Sequence, residues 1–278
     1  MKKVLALVLA AALSVSVFAG CGGSGKSGSK LDQIKKSGEI VMYTNAEFPP
    51  YEYLGDDNNV AGVDVEIGQA IADSLGVKLK VQNTNFEGIV AGIASGKGDL
   101  GLSGITITAE RKKEVDFSVP YVESVQYLVI PEDSDIETME DLAGKTCGGQ
   151  TGTTGFMLVD DEINGTNGAA GVLKGKDATA KAYNSAPTAM LDLQAGRIQA
   201  VVIDELVAIE LAKANPGYKA IPFKYEDGNP VAEQFAVAVK KGNEDLLEAV
   251  NKVVQDLVDN GKIQEFIDKH ADSTGDAE

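Results

Sequence analysis

Two segments one hundred residues apart follow the same plan. The first ends a helical stretch at Gly96, adds a basic residue, Lys97, runs on as an apolar strand over 100–102, and stops at polar Ser103. The second repeats this with Gly196, Arg197, an apolar run over 198–203, and polar Asp204. Glycine just past a helix supplies the left-handed cap that ends it. A short apolar run bounded by such stops is a strand buried on both faces, which is the pattern of a parallel sheet covered by helices. Two copies of helix–glycine–strand–polar residue therefore predict two α/β lobes. Each lobe aims the carboxyl end of a strand at a shared cleft, where open α/β sheets hold their ligands.

The residues after the first echo carry chemistry. Asp99 to Arg111 reads DLGLSGITITAER. Ser103-Gly104 breaks the strand, and Thr106 and Thr108 add hydroxyls. Thr108 is expected to cap a helix opening at 109–111. An arginine fork grips both oxygens of a carboxylate, while N–H and O–H donors satisfy the remaining lone pairs. The plainer alternative is a strand–turn–helix with a surface arginine.

Elsewhere the chain alternates strand and helix, as a mostly parallel sheet requires. A strand over 40–43 runs into a Pro-rich loop carrying Phe48 and Tyr51, either plugs between elements or walls of a pocket. A helix over 63–75 and an alternating strand over 77–81 follow. A second helix starts at Phe86, with Ile89, Val90 and Ile93 facing inward. A strand spans 125–130. The Gly/Thr loop 149–155 opens a helix near Phe156; it lacks the Gly-Lys-Ser/Thr ending of a Walker A loop. It either offers N–H groups to an anion or is a turn with N-cap threonines. Ser185 caps a helix with an early proline, Pro187. Asp204 either caps the next helix or binds a cation. A strand over 234–239, an amphipathic helix over 243–258 and a short helix over 263–269 complete the fold; the tail, 271–278, is expected to be disordered.

The N-terminus reads as a leader. Met1-Lys2-Lys3 precedes an apolar run over 4–18, too short for a comfortable membrane span, and then Ala19-Gly20-Cys21. The division is thus a signal peptide over 1–20, a lipidated Cys21 with a Gly/Ser tether over 21–30, and a soluble domain held at a membrane. The alternative is a signal peptide with an incidental cysteine. The other cysteine, Cys147, is expected to be a buried small hydrophobe. The single histidine, His270, is expected at a helix end on the surface. These counts exclude a histidine-dependent triad and a His-rich metal site, and no metal or other cofactor is expected. A net charge of −17 disfavours nucleic acid.

Arg111 with Ser103, Gly104 and Thr106 suits an α-carboxylate, Asp204 suits an α-ammonium, and Phe48 and Phe86 suit cover for a side chain. A zwitterionic amino acid meets all three, and bridging two lobes it would favour their closed arrangement.

Gly104-Ile-Thr-Ile-Thr108 followed by Glu110-Arg111 and Asp116-Phe117-Ser118 resembles the bacterial extracellular solute-binding proteins of family 3, the receptors of amino-acid ABC importers. Phe48-Pro-Pro-Tyr51-Glu52, Gly62-Val63-Asp64-Val65, Gly152-Thr153-Thr154 and Asp204-Glu205 extend the resemblance over about residues 31–270. It implies the type II periplasmic-binding-protein fold with two hinge strands: lobe 1 over 31–126 and 225–270, lobe 2 over 127–224. The chain would leave lobe 1 near 125–129 and return near 221–226. The resemblance assigns the ligand carboxylate to Arg111, with backbone near Ser103 and Thr106 and with Thr154, and the ammonium to Asp204. Its aromatic walls match Phe48 and Phe86. Its partners are a permease and its ATPase, its state a monomer, and its place the outer face of a Gram-positive type membrane.

Departures bear on specificity. Asn45 stands where cation-binding members often carry an acid. Gln150 and Ile203 stand where the glutamine-binding type carries Lys and His. A neutral polar amino acid such as glutamine is expected, with a basic amino acid or cystine as the alternative, because Glu47 and other acids are within reach of the pocket. An enzyme of the same fold, dehydratase-like, is one further alternative, with Asp204 and Glu205 as its only obvious acid–base candidates; a sensor or adhesin domain that binds an amino acid and passes the signal to another partner is the other.

Overall fold

The protein's three-dimensional structure, a computed structural model, describes residues 28–274. The leader, Cys21 and most of the tether lie outside the described residues, as do 275–278. The chain opens with α1 (Lys30–Ser37) and β1 (Glu39–Thr44). Three short strands, β2 (Glu47–Phe48), β3 (Glu52–Leu54) and β4 (Val60–Ala61), form a sheet of their own. Then come α2 (Val63–Leu75), β5 (Lys78–Asn83), a 3₁₀ turn at Phe86–Gly88, α3 (Ile89–Ala94), β6 (Leu100–Gly101), α4 (Arg111–Glu114) and β7 (Val115–Phe117). The ten-residue β8 (Val122–Pro131) leads to β9 (Thr146–Gln150), α5 (Thr154–Asn164), β10 (Thr179–Tyr183), α6 (Ala186–Gln194), β11 (Ala200–Asp204), α7 (Glu205–Ala214) and β12 (Tyr218–Pro222). The chain closes with β13 (Ala232–Phe235), β14 (Ala238–Lys240), α8 (Glu244–Asp259) and α9 (Lys262–Thr274).

Two large sheets result. The first has the order β5-β1-β6-β14-β7, the second β10-β9-β11-β8-β12. In the first, β1 pairs in parallel with β5 and β6; in the second, β9 pairs in parallel with β10 and β11. Apolar runs explain the central strands: all five residues of β11 are buried, and β1 buries Ile40, Met42 and Thr44 in alternation. Outside them, α8 buries Leu246, Val250, Val254 and Leu257, spaced to share one helix face. Each such side chain contributes about 1.5–3 kcal/mol on burial.

Two strands run between the sheets. The first part of β8, Val122 to Val125, pairs antiparallel with β13, and its remainder pairs with β11 and β12. The return therefore runs through Ala232–Phe235, later than the 221–226 expected. Residues 223–226 stay with the second sheet: Phe223 is in its core, Lys224 O accepts from Met139 N, and Tyr225 donates to Glu162 at 2.6 Å. The single strand expected over 234–239 is two, because the chain leaves β8 after Phe235 and joins β7 and β6 from Ala238.

Two further expectations are corrected at the C-terminus. α9 continues to Thr274, so 271–274 are helical. His270 is buried, at 5% exposure, because α9 folds back on the small sheet and Tyr53 Oη reaches its Nδ1 at 2.9 Å. Cys147 is buried and free, and burial pushes its thiol up to about 12. Among the described residues, no helix is long and apolar enough to cross a membrane, and no cluster of His, Cys, Asp and Glu has the arrangement to hold a metal.

Candidate functional site

Four central strands end at one place. Asn45 follows β1, Ser103 lies just past β6, Gln150 ends β9 and Asp204 ends β11. These are carboxyl ends of parallel strands, where each sheet presents its last side chains to the cleft. Together with Phe48, Phe86, Gly104, Thr106, Arg111 and Thr154, they line a single enclosed space. The ten residues singled out from the sequence thus meet, joined by one not given a role, Glu52. Tyr51 is a plug and not a wall: it is 1% exposed and stacks on Phe48, with ring centroids 5.7 Å apart. Glu47 is exposed and does not line the space.

Arg111 is 8% exposed although it is an arginine. Arg111 N donates to Thr108 Oγ1 at 3.1 Å, but the N-cap position of its short helix is taken by Glu110, whose side chain makes no cap bond, and not by Thr108 as expected. The guanidinium donates to Thr106 O at 2.7 Å and to Gly152 O at 3.0 Å, and lies 5.5 Å from the centre of the Phe86 ring. Among the described residues, no carboxylate forms an ion pair with it. Burial lowers its pKa, offset in part by Glu233 and Asp204. A buried cation held only by neutral carbonyls and a ring is set up for an incoming anion.

Asp204 occupies the N-cap of α7, yet its side chain makes no cap bond. It accepts instead from Gln126 Nε2 at 3.0 Å. Burial and then the charge of the neighbouring Glu233 raise its pKa well above the ordinary carboxylate range. Thr106 Oγ1 donates to Glu233 at 2.6 Å and stands 3.4 Å from Thr154 Oγ1.

A second buried layer supports Ser103 and Gly104. Ser103 Oγ donates to Glu52 at 2.7 Å and accepts from Asn45 N at 3.1 Å. Gly104 N and Tyr121 Oη both donate to Asp64 Oδ2, at 2.8 and 3.0 Å. The Gly104 N–H is therefore turned away from the space it was expected to serve. Gly104 has φ +52°, and a Cβ there would stand 2.7 Å from Phe48 Cε1, so the position requires glycine. Burial, then the charge of nearby Asp64, pushes the Glu52 carboxyl well up, and burial raises Asp64 to about 6.

Glu52, Asp64, Gln126 and Glu233 were missed as site residues. The available signal was an acid or amide inside an otherwise apolar strand or helix start, which has to find a partner once buried. In Gly152-Thr153-Thr154, the N-cap is Thr153, whose Oγ1 accepts from Phe156 N at 3.3 Å. The sheets also touch across the site: Gln150 Nε2 donates to Asn45 Oδ1 at 2.8 Å.

Two parallel-centred sheets, connected by antiparallel crossing strands and meeting at their strand ends over a buried arginine and a buried aspartate, define the type II periplasmic-binding-protein class. The family of bacterial extracellular solute-binding proteins, family 3, matches residues 40–273, and the chain belongs to it. It is similar to the L-cystine-binding protein TcyJ of Escherichia coli (strain K12), 32% identical over 269 residues, covering 96% of this chain and 92% of that protein. It is equally similar to the arginine-binding extracellular protein ArtP of Bacillus subtilis (strain 168), 32% identical over 272 residues, covering 96% of each. In structure it is similar to an amino acid ABC transporter substrate-binding protein from Streptococcus pneumoniae bound to L-arginine: TM-score 0.78 at 32% identity, covering 88% of this chain and 98% of the other. The relatives are solute-binding proteins, and the chain's role is solute binding and not catalysis; the dehydratase-like alternative is set aside.

Proposed function

We propose that the chain is the extracytoplasmic receptor of an ABC importer and takes an α-amino acid between its two lobes. The observation that carries this reading is Arg111: a buried guanidinium with no carboxylate partner among the described residues, in one enclosed space with Asp204. Arg111 takes the ligand carboxylate, helped by the Thr106 and Thr154 hydroxyls, and Asp204 takes the ammonium. Phe48 and Phe86 cover the side chain, and Asn45 and Gln150 offer it amides. Amides and rings, with Glu47 turned out to solvent, favour a neutral polar side chain such as that of glutamine. The cystine- and arginine-binding relatives favour the second reading, cystine or a basic amino acid.

The lobes in this reading are the two sheets with their helices, hinged through β8 and β13. The anchor is a lipid on Cys21 after removal of residues 1–20, the protein a monomer on the outer face of a Gram-positive type membrane, and the partners a permease and its ATPase. The test is a thermal-shift screen of the mature chain, carrying Cys21→Ser, against all proteinogenic amino acids and cystine. A ligand that binds only the folded state raises the melting temperature. A shift that Arg111→Ala and Asp204→Ala abolish is expected, and silence from every amino acid would overturn the reading.

A further inference from the structure

An aspartate at a helix N-cap ordinarily turns its carboxylate back onto the free N–H groups of its own helix. Asp204 holds that position on α7 and makes no such bond. Its carboxylate lines the enclosed space with Arg111 instead. A group turned away from its nearest donors needs another donor to hold it there, and Gln126 Nε2 reaches Asp204 Oδ1 at 3.0 Å. Gln126 is fully buried and lies directly opposite Asp204 in the β8–β11 pair, which puts both side chains on one face of the sheet. Its backbone is fixed on both sides: its N–H donates to Val231 O at 2.9 Å, and its carbonyl accepts from Phe223 N at 2.8 Å. The residues flanking it pair with different strands, Val125 with Ala232 of β13 and Tyr127 with Pro222 of β12. The far end of the amide is unusual. Among the described residues, Gln126 Oε1 has no hydrogen-bond partner. Gly155, in the first turn of α5, leaves the space for it: a Cβ there would stand 2.3 Å from Oε1. A buried oxygen without a partner and a glycine inside a helix both cost stability, so packing alone does not account for this contact.

We infer that Gln126 is a positioning residue of the ammonium subsite, whose amide holds the Asp204 carboxylate off the start of α7 and in the cleft. The inference rests on the amino-acid reading of the site, in which Asp204 takes the ammonium. The donated bond fixes the carboxylate's direction before a ligand arrives, so the ligand does not have to draw it away from the helix. A donor to a carboxylate also favours its charged form, the form that attracts an ammonium. Without the amide, Asp204 is free to swing back and cap α7. The protein then keeps or gains stability while the ammonium loses its acceptor. Gly155 belongs to the same device: a methyl group there would displace the amide without touching Asp204's backbone.

The test uses the mature chain carrying Cys21→Ser, with L-glutamine, L-cystine and L-arginine as probes. Beside each runs its deaminated counterpart, glutaramic acid, dithiodipropionic acid or δ-guanidinovaleric acid, which keeps the carboxylate and the side chain. Gln126→Met fills the same space without a donor. It is expected to weaken the amino acid that binds by about tenfold or more, the loss of a hydrogen bond to a charged group. The deaminated counterpart is expected to bind as it does to the wild type, and the ligand-free melting temperature to hold or rise. Gly155→Ala is a second variant, and it is expected to show the same selective loss for the amino acid. Unchanged amino-acid affinity in Gln126→Met overturns the inference. So does an equal loss for both members of a probe pair together with a lower melting temperature, which would make Gln126 a packing residue. If no amino acid binds the wild type, it is the receptor reading that fails, and the inference falls with it.

Discussion

At the scale of single residues, the site sets function against stability. Arg111 has two carbonyls and a ring as partners, and burial has removed its water. Removing one member of a buried charge pair costs about 2–5 kcal/mol of affinity, whereas an unpaired buried charge stabilises nothing by itself. Arg111→Met is therefore expected to lower amino-acid affinity by at least about thirtyfold, the lower end of that range, while the ligand-free melting temperature holds or rises. Calorimetry and thermal denaturation of the same preparation check both halves, and a large loss of stability would make Arg111 structural. Arg111 and Asp204 were legible because Asp204 ends an apolar strand and Arg111 opens the helix at the end of the Ser/Gly/Thr stretch that follows another, so local pattern places them. Glu52, Asp64, Gln126 and Glu233 were not, since their partners stand 51, 40, 78 and 127 residues away. His270 was misread for the same reason, its partner Tyr53 being 217 residues distant. Asp64 carries a pH signature. Burial raises it from 3.8 to about 6, so the folded state binds a proton that the unfolded state has lost. Its contribution to stability is full below the unfolded value and is lost as pH rises through about 6. Asp64→Asn, which preserves an acceptor for Gly104 N, is expected to flatten that fall. Denaturant unfolding across the window, compared with the wild type, measures it.

At the scale of elements, the start of α2 determines where the second layer sits. Gly62 precedes the helix with φ +130°, and a Cβ there would lie 2.2 Å from Tyr51 O. Val63 N and Asp64 N donate to Pro50 O and Tyr51 O, which binds the helix to the Pro-rich loop. That close approach puts Asp64 beside Glu52 and under Gly104. Gly62→Ala therefore has to push Tyr51 and Glu52 away, and a backbone forced into a region reserved for glycine costs about 1–3 kcal/mol. Lower denaturant stability and weaker ligand binding are both expected, although residue 62 does not line the cavity; unchanged affinity would separate α2 from the site. The alternation of strand and helix was readable because apolar periodicity is local. The division of 232–240 between two sheets was not, because nothing in Ala232–Lys240 marks the change of partner from β8 to β7.

At the scale of the whole molecule, the sheets are drawn together. Besides the Gln150–Asn45 bond, Arg111 reaches Gly152 and Thr106 approaches Thr154, all across the cleft. The enclosed space is only about 10 Å³, room for one water and far below the roughly 300 Å³ at which ligand pockets begin. An amino acid can bridge Arg111 and Asp204 only if this space widens, and the connections that can bend are β8, β13 and the segments beside them. Closure is then an equilibrium that a ligand shifts by binding the closed arrangement better than the open one. The bonds across the cleft bias the same equilibrium without a ligand. Gln150→Ala removes the bonds to Asn45 and to Asn184 O, each of which contributes about 0.5–1.5 kcal/mol. The variant is expected to populate more open molecules, with a larger radius of gyration by small-angle X-ray scattering, and to compact to the wild-type value at saturating ligand. Its affinity should fall, since part of the binding energy now goes into closing the cleft. Identical scattering from the free and saturated wild-type protein would mean that the sheets do not part, and the ligand would then have to sit in the open pocket of about 590 Å³ that Phe86, Arg111, Thr154 and Glu233 also line.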